Sequence, residues 1–581
     1  MRLCFFRLAL LIVSIFGLGA CNGCNPQKAP TQDPSADKPP GATSAAGSAT
    51  AGAANSGAAG REVEVFLIYG SEKKTWLEES IKAFEPQKKT TASGRPITIR
   101  AKAMGSGESV QAIVNGTDKP HVFSPASSAY IALLNSAYAQ KRAKPIAQPG
   151  ETVVLSPVVI AMWKPMAEAL GWPKSPIGWS DLLKVNLDPR GWGSKGFAEW
   201  GRFKLGHTHP EFSNSGFLSV LAEAYAGAKK TRGLSRADLD NPSTRKFLES
   251  VEQTIVHYGT STGFFTDKMI ARGPAYMSAT VSYENLVIES YQKNPPQPII
   301  AIYPKEGTFW SDHPYSILDA EWVGNEEREA AKIFLEFLKA RPQQERALAL
   351  GFRPGEASVP IASPIDLAHG VDPKQPQNLL EVPEVATLEK LLDVWKDTKK
   401  TTDVVLVFDK SGSMRGRPLE EAKRGAKSFL DVLSDRDEVT LSFFDTVVYP
   451  TVGPVKLGDG GRKQLAQRID GVSAGGGTSL YDAIDKAYED VSKRAASARG
   501  RIHAIVVMTD GNDEGSRLTL PALKRRFPNE ADTPVKVFTI AYGEGASADV
   551  LDEIAESAKG SAARGSVETI NRVYADMAAF F

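Results

Sequence analysis

The chain has 581 residues, a formal net charge of +1 and three cysteines, Cys4, Cys21 and Cys24. A chain of this length exceeds what one hydrophobic core organises, so two or more domains are expected. The near-neutral charge favours neither nucleic acid nor an anionic membrane surface, and the cysteine positions mean that everything beyond residue 24 folds without disulfides.

Arg2 and Arg7 flank a basic start that runs into LALLIVSIFGLGAC. This apolar stretch is short for a membrane span and ends in small residues, the pattern of a signal peptide. Its end, Leu18-Gly19-Ala20-Cys21, resembles the lipobox of bacterial lipoproteins. The resemblance implies removal of residues 1–20, diacylation of the Cys21 thiol and acylation of its new amino group. Each buried methylene contributes about 0.8 kcal/mol, so two or three chains anchor firmly. Asn22 in place of Asp leans, by resemblance to enterobacterial sorting, toward the outer membrane. Residues 21–60 are mostly Pro, Ala, Gly, Ser and Thr, too polar to order, and form a tether on the order of 35 Å in reach. Cys24 within it is a spare thiol or a second lipidation site. The expected location is the bacterial cell envelope, with the folded part periplasmic or surface-exposed. No later stretch is apolar enough to span a membrane.

From residue 61, REVEVFLIYG reads as a strand ending at Gly70-Ser71, and KTWLEESIKAFEP sets Trp76, Leu77, Ser80, Ile81 and Phe84 on one helical face. PITIRAKAMGSGES, HVFSPASS and TVVLSPVVIAMW continue the alternation, which predicts an α/β fold with parallel sheet and ligands beyond the carboxyl ends of the strands. Those ends carry Ser71, Ser106 and Gly107, then Ser124, Ser127 and Ser128. GSGESVQAIVNG, SPVVIAMW, GHTHPEFSNSGFLSVLAEAYA and AAKIFLEFLKARPQQERALALGFRP resemble bacterial extracellular solute-binding proteins. The resemblance implies a two-lobed, periplasmic-binding-protein-like (type 2) domain over 61–398. Its first lobe would be built from about 62–155 and 300–380, and its second from the middle. Ser213, Ser215 and Gly216 precede a predicted helix, whose free N–H groups favour an anion. Facing serines of the first lobe would complete a hydroxyl-lined cleft for phosphate, sulfate, molybdate or a ligand carboxylate. The same serines serve equally well as helix caps. His207 and His209 alternate as on one face of a strand, but zinc needs a third ligand that the sequence does not offer, so a structural role is expected. Trp163, Trp172, Trp179, Trp192 and Trp200 cluster in the second lobe, where core packing accounts for them.

ATLEKLLDVWK (386–396) places Leu388, Leu391, Leu392 and Trp395 on one helical stripe. No Pro/Gly/Ser linker follows, so the domain 399–581 is expected in a restricted pose. VVLVFDKSGSMRG (404–416) opens it with a strand apolar on both faces, which a central parallel strand requires. EVTLSFFD, IHAIVVMTD and VKVFTIAYG supply further strands between helical patterns, predicting a doubly wound, Rossmann-like sheet. Converging strand ends would gather Asp409, Ser411, Ser413, Thr478 and Asp510. Two carboxylates and three hydroxyls suit a hard divalent cation, Mg²⁺ or Mn²⁺, completed by water. This domain resembles the von Willebrand factor type A (VWA) domain, and the five residues its metal-ion-dependent adhesion site (MIDAS). The resemblance implies an open position for an Asp or Glu carboxylate of a protein partner. Asp445, Asp482 and Asp485 are expected on helix and turn surfaces. The chain carries no P-loop, no Gly-x-Ser-x-Gly elbow and no His-Glu-x-x-His motif, and no enzymatic activity is expected. The leading expectation is an anchored envelope protein that binds a partner through the metal, with a cleft for a small anionic solute. The alternative is the solute-binding receptor of an ABC-type transporter, with the VWA domain as docking module.

Overall fold

The computed structural model describes residues 62–498, 500–528 and 535–581; the expected signal peptide, Cys21 and the tether lie outside them. The first lobe is a five-stranded sheet in the order Ile97–Met104, Val63–Gly70, Val122–Ser124, Pro314–Ile317, Glu151–Thr152. Val63–Gly70 runs parallel to both its neighbours, whereas Pro314–Ile317 is antiparallel to Val122–Ser124 and to Glu151–Thr152. The sheet is therefore mixed rather than all-parallel, because the chain leaves this lobe after Thr152 and re-enters it antiparallel at Pro314. Helices Lys74–Phe84 and Asn325–Lys339 cover one face, with Phe84 edge-on to Phe334 and Phe337, each at 5.1 Å.

The second lobe is built around the ten-residue strand Val154–Trp163. It pairs antiparallel with Ala279–Tyr283 and with Ile299–Ile302, and Leu205–Thr208 continues the sheet parallel to Ala279–Tyr283 and to Ile255–Gly259. One expected boundary changes. Residues 300–311 and 365–381 belong to this lobe, not the first: Ile299–Ile302 is buried in its sheet, Ala301 donates to the Gly370 carbonyl, and Tyr225 Oη donates to the Glu381 carbonyl. Apolar content alone cannot say which sheet a short buried strand joins. The tryptophans pack here as expected: Trp163 and Trp192 are fully buried, their indole N–H groups donating to the Met277 carbonyl and to Ser278 Oγ.

The C-terminal domain has six strands in the order Val452–Lys456, Glu438–Phe444, Thr402–Asp409, Ile502–Thr509, Val535–Tyr542, Ala562–Gly565. All neighbours are parallel except the edge strand Val452–Lys456. Strand alternation divides Thr402–Asp409 cleanly. Val404, Leu406 and Phe408 join the core that includes Leu419, Phe429 and Tyr574, while Val405 and Val407 join Leu480, Ile484 and Val491 on the other face. Helix Arg417–Val432 carries Pro418 in its first turn and buries Leu419, Ala422, Ala426, Phe429 and Leu430 on one face.

The domains share one continuous core, and the described residues form a single compact unit. Phe580 and Phe581 wedge against Phe538, each 5.3 Å away, and Phe580 lies 5.5 Å from the His257 ring of the second lobe. Tyr258 N–H donates to the Phe580 carbonyl at 3.1 Å. Lys399, buried where the domains meet, bonds Asp437 at 3.0 Å and the Phe581 main-chain oxygen at 2.7 Å. Asp437 in turn accepts from Thr402 N–H at 2.8 Å, fixing the entry of the first strand. Arg272 of the second lobe donates to the Lys559 and Gly560 carbonyls. A thinner contact reaches the first lobe, where Arg572 lies 3.4 Å from Glu108.

A buried phenylalanine truncated to alanine costs about 3–5 kcal/mol. Phe580→Ala is therefore expected to destabilise the chain by roughly 3 kcal/mol and to split one calorimetric unfolding transition into two, one per domain.

Candidate functional site

The carboxyl edge of the C-terminal sheet gathers the oxygen-bearing side chains. Asp409 ends the central strand, is fully buried, and has both oxygens engaged. Oδ1 accepts from Ser411 N–H at 2.7 Å and Oδ2 from Thr509 Oγ1 at 2.5 Å. Asp510 follows the neighbouring strand, and its Oδ1 accepts from Ser413 Oγ at 2.8 Å; Ser411 Oγ lies 3.5 Å from the same oxygen and 3.0 Å from Ser413 Oγ. Ser413 is exposed.

Thr478 arrives on the glycine loop. Gly412 N–H donates to the Gly476 carbonyl and Gly475 N–H to the Lys410 carbonyl, lashing the two loops together. Gly476 has φ +81°, and a Cβ there would sit 2.8 Å from Thr446 Oγ1 and 3.1 Å from the Asp445 carboxyl carbon, so only glycine fits. Thr478 Oγ1 lies 3.4 Å from where a Cβ on Gly511 would stand, so the threonine faces the turn after Asp510. All five predicted residues thus come to one edge. The other acids have local partners, and Asp445, expected on a turn surface, is instead buried beside the glycine loop. Asp445 pairs with Lys410 and Tyr449, Asp482 accepts from the N–H groups of Arg517 and Leu518, and Asp485 pairs with Arg526.

The donor set fits a hard divalent cation. Every side chain at this edge contributes oxygen, and the hydroxyls of Ser411, Ser413 and Thr478 are neutral. Burial, with Asp510 nearby, pushes the Asp409 carboxyl up to about 6, and burial also raises Asp510. Two carboxylates crowded at a dry edge favour a cation between or beside them. When bound, the cation would supply Lewis acidity toward an incoming oxygen ligand.

The cleft residues fare differently. Gly107 and Glu108, at the start of helix Ser106–Asn115, donate their N–H groups to the Phe212 carbonyl of the second lobe at 3.0 and 3.3 Å. The first-lobe loop expected to face the anion thus meets a main-chain carbonyl of the second lobe instead. A Cβ on Gly107 would stand 2.0 Å from the Glu211 carbonyl, so Gly107 permits the lobes to touch. Ser106 Oγ accepts from Ala126 N–H and Ser127 Oγ from Ala129 N–H, while Ser124 is buried in the first-lobe sheet. Ser71 opens a single turn, Ser71–Lys73, at the end of the first strand. Ser215 and Gly216 do not face a cleft. Ser215 Oγ bonds Thr208 and Thr262, and a Cβ on Gly216 would collide with the Thr208 carbonyl at 1.8 Å. Nor does either serine cap the helix Asn214–Ala228: Ser213 stands at the cap position without a capping side-chain bond, its Oγ 3.4 Å from Thr262 Oγ1.

Sequence reasoning missed two polar sets, one in each lobe, that face one another where the Tyr283 and His313 rings stand 6.1 Å apart. Asn214 Nδ2 donates to Tyr283 Oη and Ser311 Oγ, and His313 contacts both Glu72 at 3.3 Å and Lys73 at 3.2 Å. Lys73 and Glu72 form a buried pair at 3.0 Å. Burial works against the Glu72 carboxylate, but Lys73 and His313 outweigh it and hold it at about 2. Asn214 Oδ1 and His313 Nε2 are buried without partners. These residues lie in four separate segments, so no local spacing signals them. His207 and His209 also part company. His209 packs on Phe212 and Trp395, whereas His207 turns into the second lobe.

Comparisons with known proteins identify two domain families. Residues 65–353 match the model of the bacterial extracellular solute-binding protein family, and residues 403–571 that of the von Willebrand factor type A domain. The chain joins a solute-binding-protein domain to a VWA domain. The VWA region is 29% identical over 169 residues to an uncharacterised protein of Synechocystis sp., covering 28% of this chain and 38% of that protein. It is 26% identical over 173 residues to human inter-alpha-trypsin inhibitor heavy chain H4, covering 29% and 18%. The chain thus spans well under half the length of these relatives. Among solved structures, it is similar to the sulfate-binding protein of Mycobacterium tuberculosis H37Rv, with TM-score 0.38, 18% identity and coverage of 56% of this chain and 96% of that one. It is also similar to a von Willebrand factor type A protein from Catenulispora acidiphila, with TM-score 0.28, 21% identity and coverage of 31% and 42%.

Two outcomes follow. Because the folded protein raises the Asp409 carboxyl above its unfolded value, the associated stability is present below about pH 4 and lost as pH rises through about 6. Asp409→Asn is expected to stabilise the metal-free protein by on the order of 2 kcal/mol at pH 7, with no gain at pH 4, and to abolish stabilisation by Mg²⁺, all read by thermal unfolding. Gly107→Ala is expected to force the Glu211–Phe212 backbone off the first lobe, read as faster amide exchange at Gly107 and Glu108 and a larger radius of gyration in solution scattering.

Proposed function

We propose that the chain is an envelope-anchored binding protein whose VWA domain grips a carboxylate of a protein partner through Mg²⁺ or Mn²⁺. The observation that carries this reading is the convergence of Asp409, Ser411, Ser413, Thr478 and Asp510 at one sheet edge with Ser413 exposed. Ser411, Ser413 and Thr478 would hold the cation through neutral hydroxyls. Asp409, with both oxygens engaged by Ser411 N–H and Thr509, acts mainly by orienting the loop. Few direct carboxylates leave the cation electron-poor and receptive to an outside acid. Beyond Asp510, Gly511, Asn512 and Asp513 border a cavity of about 130 Å³ with Tyr481 and Val550, room for the residues flanking a bound acid. Anchoring through Cys21 would present this edge within the envelope.

A second reading, capture of a small solute for a transporter, draws on the buried, unpartnered Asn214 Oδ1 and His313 Nε2 between the lobes. Unpaired buried polar atoms cost about 1–3 kcal/mol each, which a small polar guest would recover.

The soluble portion, residues 61–581, is expected to capture a discrete partner from envelope extract in Mg²⁺ plus Mn²⁺, and to lose it both in EDTA and as Asp510→Ala. Capture indifferent to metal and to the substitution overturns the adhesion reading. Native mass spectrometry of the same protein decides the second reading by showing a retained small molecule of defined mass, or none.

A further inference from the structure

A second cluster of metal-ligating side chains lies inside the solute-binding domain, remote in sequence from the VWA edge. His207 comes from strand Leu205–Thr208, Glu223 from helix Asn214–Ala228 and Glu252 from the last turn of helix Pro242–Glu252. All three are fully buried, and their ligand atoms lie within 4.8 Å of one another. His207 Nε2 stands 3.2 Å from Glu252 Oε1.

The hydrogen bonds around the cluster determine what its centre lacks. His207 Nδ1 lies 2.7 Å from the Thr208 carbonyl, which can only accept, so that nitrogen carries the proton and Nε2 of the neutral ring presents a lone pair. Tyr258 Oη donates to Glu252 Oε2 at 2.6 Å and Ser219 Oγ to Glu223 Oε1 at 2.7 Å. The remaining oxygen of Glu223, Oε2, is buried without a partner. An imidazole lone pair and two carboxylate oxygens therefore converge with no donor among them. One proton on the ring and a second on Glu223 would remove the net charge but still leave Glu223 Oε2 without a partner in a dry interior, an expensive state. The outer bonds have the form that supports a metal: the second imidazole nitrogen on a main-chain carbonyl, and each carboxylate steadied by a hydroxyl.

We propose that His207, Glu223 and Glu252 bind a divalent zinc ion. One nitrogen and two oxygens at a crowded, fully buried point suit a small four-coordinate cation, whereas Mg²⁺ and Ca²⁺ take six or more oxygens. The ion would cross-brace one strand and two helices beneath the junction with the VWA domain. Tyr258 joins the two directly: its hydroxyl bonds Glu252 and its N–H bonds Phe580. Lys400, which leads into the VWA domain, donates to the Ile255 carbonyl three residues from Glu252. The site is distinct from the VWA metal edge in both ligands and chemistry.

The test uses the full chain in detergent, equilibrated with zinc sulfate, desalted and assayed for metal by mass spectrometry. The expected result is about one zinc per chain, unchanged in Asp510→Ala. Glu223→Gln and Glu252→Gln should each weaken zinc binding at least tenfold, since losing even an outer-shell partner costs about 10–100-fold. X-ray absorption of the zinc-loaded wild type keeps the outcome decisive should either variant fold poorly, with one imidazole and carboxylate oxygens expected around the ion. Retention of no zinc, retention unaffected by both substitutions, an all-oxygen shell or a sulfur shell would each overturn the proposal.

Discussion

The direction of the parallel strands in the VWA domain is the constraint on which its candidate site depends. Thr402–Asp409 and Ile502–Thr509 run side by side in register, Phe408 opposite Met508, so their first residues beyond the apolar run fall at the same edge. Asp409 and Asp510 meet there although 101 positions separate them in the chain. An antiparallel pairing would have put them at opposite ends. Residues 404–408 and 504–508 are apolar on both faces, so the polar groups of these two strands stand at their ends: Asp403 and His503 with Arg494 at one, Asp409 and Asp510 at the other. The glycine loop then completes the arrangement, because its positive-φ turn at Gly476 folds close enough for Thr478 to reach the turn after Asp510.

The same physical rule operates at the cleft with a different outcome. A helix start offers unpaired N–H groups and must find an acceptor. At Gly107 and Glu108 the acceptor is the Phe212 carbonyl of the opposite lobe, so the need that attracts an anion is met by the chain itself. The lobes are held together by backbone, with Tyr130 Oη reaching the Pro210 carbonyl beside it. What remains polar and unsatisfied lies deeper, around Asn214 and His313.

Legibility in the sequence followed how many chain segments a feature needs. Asp409, Ser411 and Ser413 sit within five residues after a strand that announces itself, so both fold and edge were readable. The lobe assignment of Ile299–Ile302 was not, since a four-residue apolar strand carries no label for its sheet. Ser215 and Gly216 looked like ligand groups because small polar residues before a helix serve packing and binding alike; only the 1.8 Å clearance over Thr208 shows which. Glu72 and Lys73 carry no signal of their own in the sequence, because His313, which meets them, lies 240 residues beyond Lys73. His207 lacked a third ligand in the sequence because Glu223 and Glu252 sit in helices whose periodicity gives no hint of an inward carboxylate.

The contact between Arg572 and Glu108 has a consequence beyond its energy. Both side chains are partly exposed, and such a pair contributes at most about 1 kcal/mol. Yet Glu108 stands on the helix turn that receives the Phe212 carbonyl, and Arg572 belongs to a domain fused by core packing to the other lobe. Parting the lobes must move Glu108 relative to Arg572 and to neighbouring Asp576, whose carboxyl is pushed up to about 6 by burial and by Glu108. The VWA domain thus touches both lobes, through buried aromatic packing on the second and through one exposed ion pair on the first, so any parting of the lobes would be felt there as a change of field rather than resisted.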